Sequence, residues 1–178
     1  LNLYLSNVRK DREDLVKALW APWRMEYILS PKKGRCFICE AVKDPQREDA
    51  LVLHVSDLGL VLLNRFPYNP GHILIAPKRH VDSIGDMTPK ERGEIIELLH
   101  LSLGVVKEVM NPEGFNVGMN LGKISGAGLE DHIHLHVVPR WGGDTNFMPV
   151  LANVKVVPEH LKETYRKLRK AFQEAAGG

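Results

Sequence analysis

The run His132-Ile133-His134-Leu135-His136-Val137-Val138 sets three histidines at alternate positions, with aliphatic residues between and after them. Side chains alternate faces along a β-strand, so the run predicts a strand whose imidazoles share one face while Ile133, Leu135 and Val137 enter a core. A helix would scatter the rings. Pro139 follows the run and Gly142-Gly143 mark a turn beyond it. A lone histidine is most often a polar residue on the wet face of a half-buried strand, but three in register with no other polar type between them point to chemistry. With a pKa of ~6.5, an imidazole is mostly neutral at pH 7, nucleophilic, and still able to move a proton. His134 has a histidine about two residue rises away on each side. It can be oriented from one flank and assisted from the other, as a covalent nucleophile requires.

The flanking chain reads as a sheet with helices. Leu51-Val52-Leu53 and Gly59 to Leu63 predict a hairpin around Ser56-Asp57, and His72 to Ala76 a third strand after the turn Phe66-Pro67-Tyr68-Asn69-Pro70-Gly71. Thr88-Pro89-Lys90-Glu91 is a helix start with a capping box, and the helix runs to about Met110 before Asn111-Pro112 stops it. Ile95, Leu98, Leu99, Val105, Val106 and Val109 form its apolar stripe. In a fourth strand, Phe115 to Leu121, Phe115, Val117, Met119 and Leu121 take one face, leaving Asn116, Gly118 and Asn120 to continue the histidine face. The glycines of the loop 122–128 allow backbone N–H groups close to phosphate oxygens. Residues 11–28 predict a helix interrupted near Pro22, and Pro158 to about Ala176 an amphipathic one. The expected fold is α+β: a five-stranded antiparallel sheet with helices packed on one face and the histidines on the other. One domain of residues 1–178 would carry an N-terminal extension, about 1–33, and a C-terminal helical tail, about 156–178.

Hydrophobic residues at 44% and charged ones at 26% are ordinary for a folded, soluble domain. No apolar stretch approaches ~18 residues, so no membrane span is expected; with no signal peptide apparent either, the expectation is a cytoplasmic protein. A net charge of +2, with basic and acidic residues interleaved, does not announce a nucleic-acid partner. Cys36 and Cys39 are the chain's two cysteines, and their spacing lets two thiolates hold one metal ion from a tight turn. A redox pair would prefer a strand-to-helix setting, whereas Ser30 to Gly34 reads as a loop; two buried small residues are a further reading. His54, His100 and His160 belong to no motif.

The histidine run resembles the signature of the histidine triad (HIT) superfamily of nucleotidyl hydrolases and transferases, and matches it at every position. Asn64 to His80 (NRFPYNPGHILIAPKRH) and Phe115 to Asn120 (FNVGMN) are also similar to that family, so the resemblance covers about residues 20–155. Trp20-Ala21-Pro22-Trp23-Arg24 and Pro139 to Phe147 resemble its branch of bacterial diadenosine tetraphosphate phosphorylases. The resemblance implies that His134 attacks the α-phosphorus of a nucleotide, that His136 hydrogen-bonds the phosphoryl oxygens or leaving group, and that His72 supports the triad from a neighbouring strand. It implies Asn64 beside the ribose, Asn120 at the α-phosphate, the loop with Ser125, Gly126 and Gly128 around the phosphates, and Trp141 as a cover for the site, its own or a partner's. Inorganic phosphate would be the acceptor and the assembly a homodimer. It also supplies His80 and His132 to complete, with Cys36 and Cys39, a structural zinc site. The common pattern has Gln four residues before the first histidine; here Gly128 stands there. That contact is lost, moved to Ser125 or replaced by backbone donors, which bears on substrate preference more than on mechanism. Hydrolysis of nucleoside phosphoramidates or adenylylated compounds, and nucleotide binding without catalysis, are the alternatives.

Overall fold

The computed structural model describes residues 36–122, 125, 132–144 and 160–177. All of them belong to one of the two compact units into which the chain divides, that of residues 30–144 and 157–178. The expectations for residues 11–28, for the loop before Cys36, for Gly126 and Gly128, and for residues 145–147 lie outside the described residues.

Helix α1 (Phe37–Lys43) precedes strands β1 (Val52–Val55), β2 (Gly59–Leu63) and β3 (Ile73–Pro77); α2 (Pro89–Met110), β4 (Gly114–Met119), β5 (Leu135–Arg140) and α3 (Leu161–Ala176) follow. The strands form one antiparallel sheet in the order β1-β2-β3-β5-β4. Alternate residues divide between its two faces. Val61, Leu63, Ile73, Ile75, Ile133, Leu135 and Val137 share a core with Ile95, Leu98, Val105 and Val106 of α2 and Tyr165, Leu168 and Phe172 of α3. Leu60, Leu62, Leu74 and Ala76 pack with Ile38 and Ala41 of α1. Burial on both faces is why β2 and β3 read as unbroken apolar runs.

The two long helices cover one face as expected, and α2 starts on the anticipated capping box: Thr88 Oγ1 accepts the Glu91 N–H while the Glu91 carboxylate accepts the Thr88 N–H. Three details differ from the sequence reading. Cys36-Phe37-Ile38-Cys39 is not a tight turn but the start of α1, with Cys36 as its N-cap. The ladder of β5 begins at Leu135, although Ile133 keeps the alternation and joins Leu135 and Val137 in the core. The fourth strand, expected to reach Leu121, ends at Met119; Val117 on its apolar face is 44% exposed because β4 is the sheet's edge, and Leu121 beyond it is 52% exposed. His54 stacks on Phe172 and His160 caps α3, so both have structural roles. No described helix is long and apolar enough to cross a membrane.

Candidate active site and metal cluster

The antiparallel registers line up one polar row across the sheet. Leu63 pairs with Ile73, so Asn64 and His72 meet just beyond the ends of β2 and β3, where the Asn64 N–H donates to the His72 carbonyl at 2.8 Å. His136 lies opposite Leu74 on β3 and Gly118 on β4. The anticipated polar floor is present: a side chain at Gly118 would meet nothing within 4 Å, and Asn120 Nδ2 lies 3.4 Å from His136 Nε2.

A chain of hydrogen bonds determines which ring nitrogens carry protons. The backbone N–H of Tyr68 donates to His72 Nδ1 at 3.1 Å, so the neutral His72 ring has its proton on Nε2. That nitrogen is 3.0 Å from His136 Nδ1, which must accept, leaving the His136 proton on Nε2. Turned about its terminal bond, the Asn120 amide would present its oxygen to this N–H. Tyr68 also stacks on His72, with ring centroids 4.9 Å apart. Asn64 Oδ1 accepts the Phe66 N–H at 2.9 Å and its Nδ2 lies 3.3 Å from His72 Nδ1; the amide thus shapes the turn and touches the histidine group.

His134 is buried, and its Nδ1 lies 2.8 Å from the His132 carbonyl oxygen. A carbonyl can only accept, so Nδ1 carries the proton and Nε2 a lone pair. Burial pushes the His134 pKa below the ordinary histidine value, with the hydrogen bond to the His132 carbonyl opposing it. Its ring centroid is 4.9 Å from that of His136. The arrangement offers a neutral, oriented nitrogen nucleophile beside an N–H donor, which suits attack on a phosphorus centre.

Just before the start of β5, Cys36, Cys39, His80 and His132 bring one donor atom each to within 4.8 Å of one another. Cys36 Sγ is 3.2 Å from His132 Nδ1, and Cys39 Sγ is 3.2 Å from His80 Nδ1. His132 Nε2–H donates to the Pro77 carbonyl at 2.9 Å, which leaves Nδ1 unprotonated and turned to the thiols, the form a metal ligand needs. Burial lowers the His132 pKa, favouring that neutral ring, and pushes the Cys36 thiol up to about 11, so a metal ion would have to displace its proton. Two sulfurs and two imidazole nitrogens form a donor set suited to tetrahedral zinc. The neighbouring Arg79 is tied to Glu91 and to the Asp86 carbonyl, fastening the segment that bears His80 to the start of α2.

The structure therefore brings His72, His134, His136, Asn64 and Asn120 together in one group and the four metal-site residues in another. Two further expected site residues have hydrogen bonds outside these groups. The Ser125 hydroxyl donates to the Gly122 carbonyl at 2.7 Å on an exposed loop. Trp141 lies just beyond the end of β5 remote from His134, with its indole N–H on the Asn111 carbonyl at 3.1 Å. Tyr68 and the Pro77 carbonyl were not anticipated: the hydrogen bond each makes to a histidine comes from a backbone atom, which no residue pattern reports.

The HIT domain model matches residues 46–143. The AP-4-A phosphorylase of Mycobacterium tuberculosis is 38% identical over 165 residues, covering 88% of this chain and 85% of that protein. The bis(5'-adenosyl)-triphosphatase of Dictyostelium discoideum is 28% identical over 123 residues, 69% of this chain and 81% of that one. Among solved structures, a zinc-bound histidine triad family protein from Mycobacterium smegmatis, 25% identical, superposes with a TM-score of 0.64 over 81% of this chain and 97% of its own.

Proposed function

Given that the chain belongs to the HIT domain family, we propose that it cleaves dinucleoside polyphosphates, specifically diadenosine tetraphosphate with inorganic phosphate as acceptor, yielding ATP and ADP. The observation that carries the chemistry is His134, buried and fastened by Nδ1 to the His132 carbonyl so that Nε2 is the reacting atom. Its likeness to the M. tuberculosis protein, over most of both chains, supports the choice of substrate.

Nε2 of His134 forms a bond to the α-phosphorus as the bond from that phosphorus to its bridging oxygen breaks. The electron pair leaves with the oxygen of ATP, which takes a hydrogen bond from His136 Nε2–H. An oxygen of inorganic phosphate then attacks the same phosphorus, the P–N bond breaks, and ADP departs from a restored His134. Asn120 and the glycine-rich loop with Ser125, Gly126 and Gly128 stabilise charge on the phosphoryl oxygens. Asn64 holds the ribose, and Trp141 acts on the site of a partner subunit. The homodimer this implies is supported by the apolar residues on the outer edge at β4.

Cys36, Cys39, His80 and His132 would hold zinc, which with four protein ligands has no open position and serves to fasten α1 to the start of β5. Incubating the protein with diadenosine tetraphosphate, with and without phosphate, tests the reading. ADP and ATP appearing only with phosphate support it, whereas AMP formed without phosphate makes the protein a hydrolase. Tight nucleotide binding with no product would leave a non-catalytic binder.

A further inference from the structure

We propose that Asn69, fastened by Asp144, is a positioning residue that sets the contact between His72 and His136. The inference rests on the reading of His136 as the donor to the departing oxygen, and concerns what keeps its proton on Nε2. His72 does not reach His136 from within a strand; it ends the loop between β2 and β3. That loop closes on His72 from both sides: the His72 N–H donates to the Asn69 carbonyl at 3.1 Å, and the His72 carbonyl accepts the Asn64 N–H at 2.8 Å.

The Asn69 side chain reaches across to β5, the strand that carries His136. It is 4% exposed, and Nδ2 donates to the Pro139 carbonyl at 2.9 Å and to Asp144 Oδ2 at 2.8 Å. The Asp144 carboxylate is itself held by charge-assisted bonds from the Arg140 guanidinium to both oxygens and by the Trp141 N–H at 3.3 Å. Next to Asn69-Pro70, Gly71 has φ +73°, and a Cβ there would come within 2.5 Å of Met110 Sδ and 3.3 Å of Pro139 Cγ.

The loop is therefore joined to β5 twice, once through His72 and His136 and once through Asn69 to Pro139 and Asp144. The two attachments lie on the same short loop, so the second sets the spacing of the first. An apolar residue at 69 would fill the same space without fixing that distance, whereas an amide giving hydrogens to one acceptor on β5 and one in the turn after it is directional. If the loop shifts, His136 Nδ1 loses its donor, and its ring is free to move the proton to Nδ1, where it faces His72 instead of the substrate.

The test combines ring ¹⁵N NMR of His72 and His136, above their titration range, with steady-state turnover of diadenosine tetraphosphate and phosphate. The variants are Asn69→Ala and Asp144→Asn, the latter nearly isosteric. Glu113→Ala, which removes the acceptor of the Gly142 N–H in the same turn, is the control. In both variants the His136 signals should move from one tautomer to a mixture. Turnover should fall by roughly ten- to a hundredfold with KM changed by less than about threefold. The control should leave the signals in place. Unchanged His136 signals in Asp144→Asn, or an equal change in the control, overturn the proposal. A wild-type protein that fails to cleave the dinucleotide would instead overturn the reading of function, and the ring signals would still decide the role of Asn69.

Discussion

His132 and His136 point to the same side of the sheet from one short stretch of chain, yet their surroundings give them different capacities. His132 is sealed, its Nδ1 among thiols and its Nε2–H on the Pro77 carbonyl. His136 is only half-buried, and its partners are another imidazole and an amide at the border of open space above Gly118. A backbone carbonyl behind one nitrogen fits the first ring to be a ligand, whereas an N–H donor behind one nitrogen fits the second to be a donor itself. His134 joins the two ends, oriented by the His132 carbonyl and adjacent in ring contact to His136. The proposed metal end and the proposed catalytic end thus share a backbone but use different forces, and each can be removed while the other is observed.

The sharpest separation comes from His134→Ala. Turnover should fall at least ~1,000-fold as the covalent route is lost, while zinc measured by mass spectrometry stays at the wild-type ratio. Loss of zinc together with turnover would mean that the two ends are one unit. Cys36→Ser attacks the opposite end. Losing a site occupied at about a thousand times its Kd costs ~4 kcal/mol, hence a fall in melting temperature of roughly 10 °C for a chain of this size. A chelator should lower the wild-type melting temperature by a similar amount, and restored zinc should reverse it. A melting temperature indifferent to chelation would remove the structural metal from the account.

The catalytic end was the more legible of the two in sequence. Period-two alternation placed Ile133, Leu135 and Val137 inside, and it put Asn116, Gly118 and Asn120 beside the histidines, because strand geometry is local. The capping box at Thr88 was equally local. What escaped depends on strand order or on distant contacts. Alternation put Val117 on the apolar face of its strand but could not say that the strand lies at the sheet's edge, where there is less to pack against. Cys36 to Cys39 is a helical turn because the short α1 is held by Ile38 and Ala41 against the sheet, a tertiary contact that a seven-residue helix needs. Asn69 and Asp144 are 75 residues apart in sequence, and neither type is unusual in a turn. Residue type and spacing announce chemistry that the motif itself performs, but not the supports that reach it from elsewhere.

His72→Gln should act only at the catalytic end. It removes the ring that donates to His136, and a hydrogen bond worth ~1.4 kcal/mol to the reacting state corresponds to about tenfold in turnover. Zinc content and the melting response to chelator should remain those of the wild type. Turnover unchanged in this variant would mean that His136 keeps its tautomer unaided.

The smallest effect probes the segment behind His80. Hydrogen bonds from Arg79, and then from the Thr88 N–H, hold the Glu91 carboxyl at about 2, well below its ordinary value of 4.5. A carboxylate with a depressed folded pKa stabilises the fold fully above its unfolded pKa, and that contribution is lost as pH falls through 4.5 toward about 2. The melting temperature should therefore decline over that window in the wild type and decline less in Glu91→Gln, with the two converging at the acid end. Arg79 is about half exposed, so salt should weaken the difference. Thr88→Ala removes only the other half of the capping box and should cost ~1 kcal/mol at any pH, or roughly 2–4 °C. Turnover at pH 7 should be unaffected by either variant, since the pair fastens the chain behind His80 and touches nothing in the row from Asn64 to Asn120. A fall in turnover without a fall in zinc would show that the start of α2 communicates with the histidines by a route other than His80.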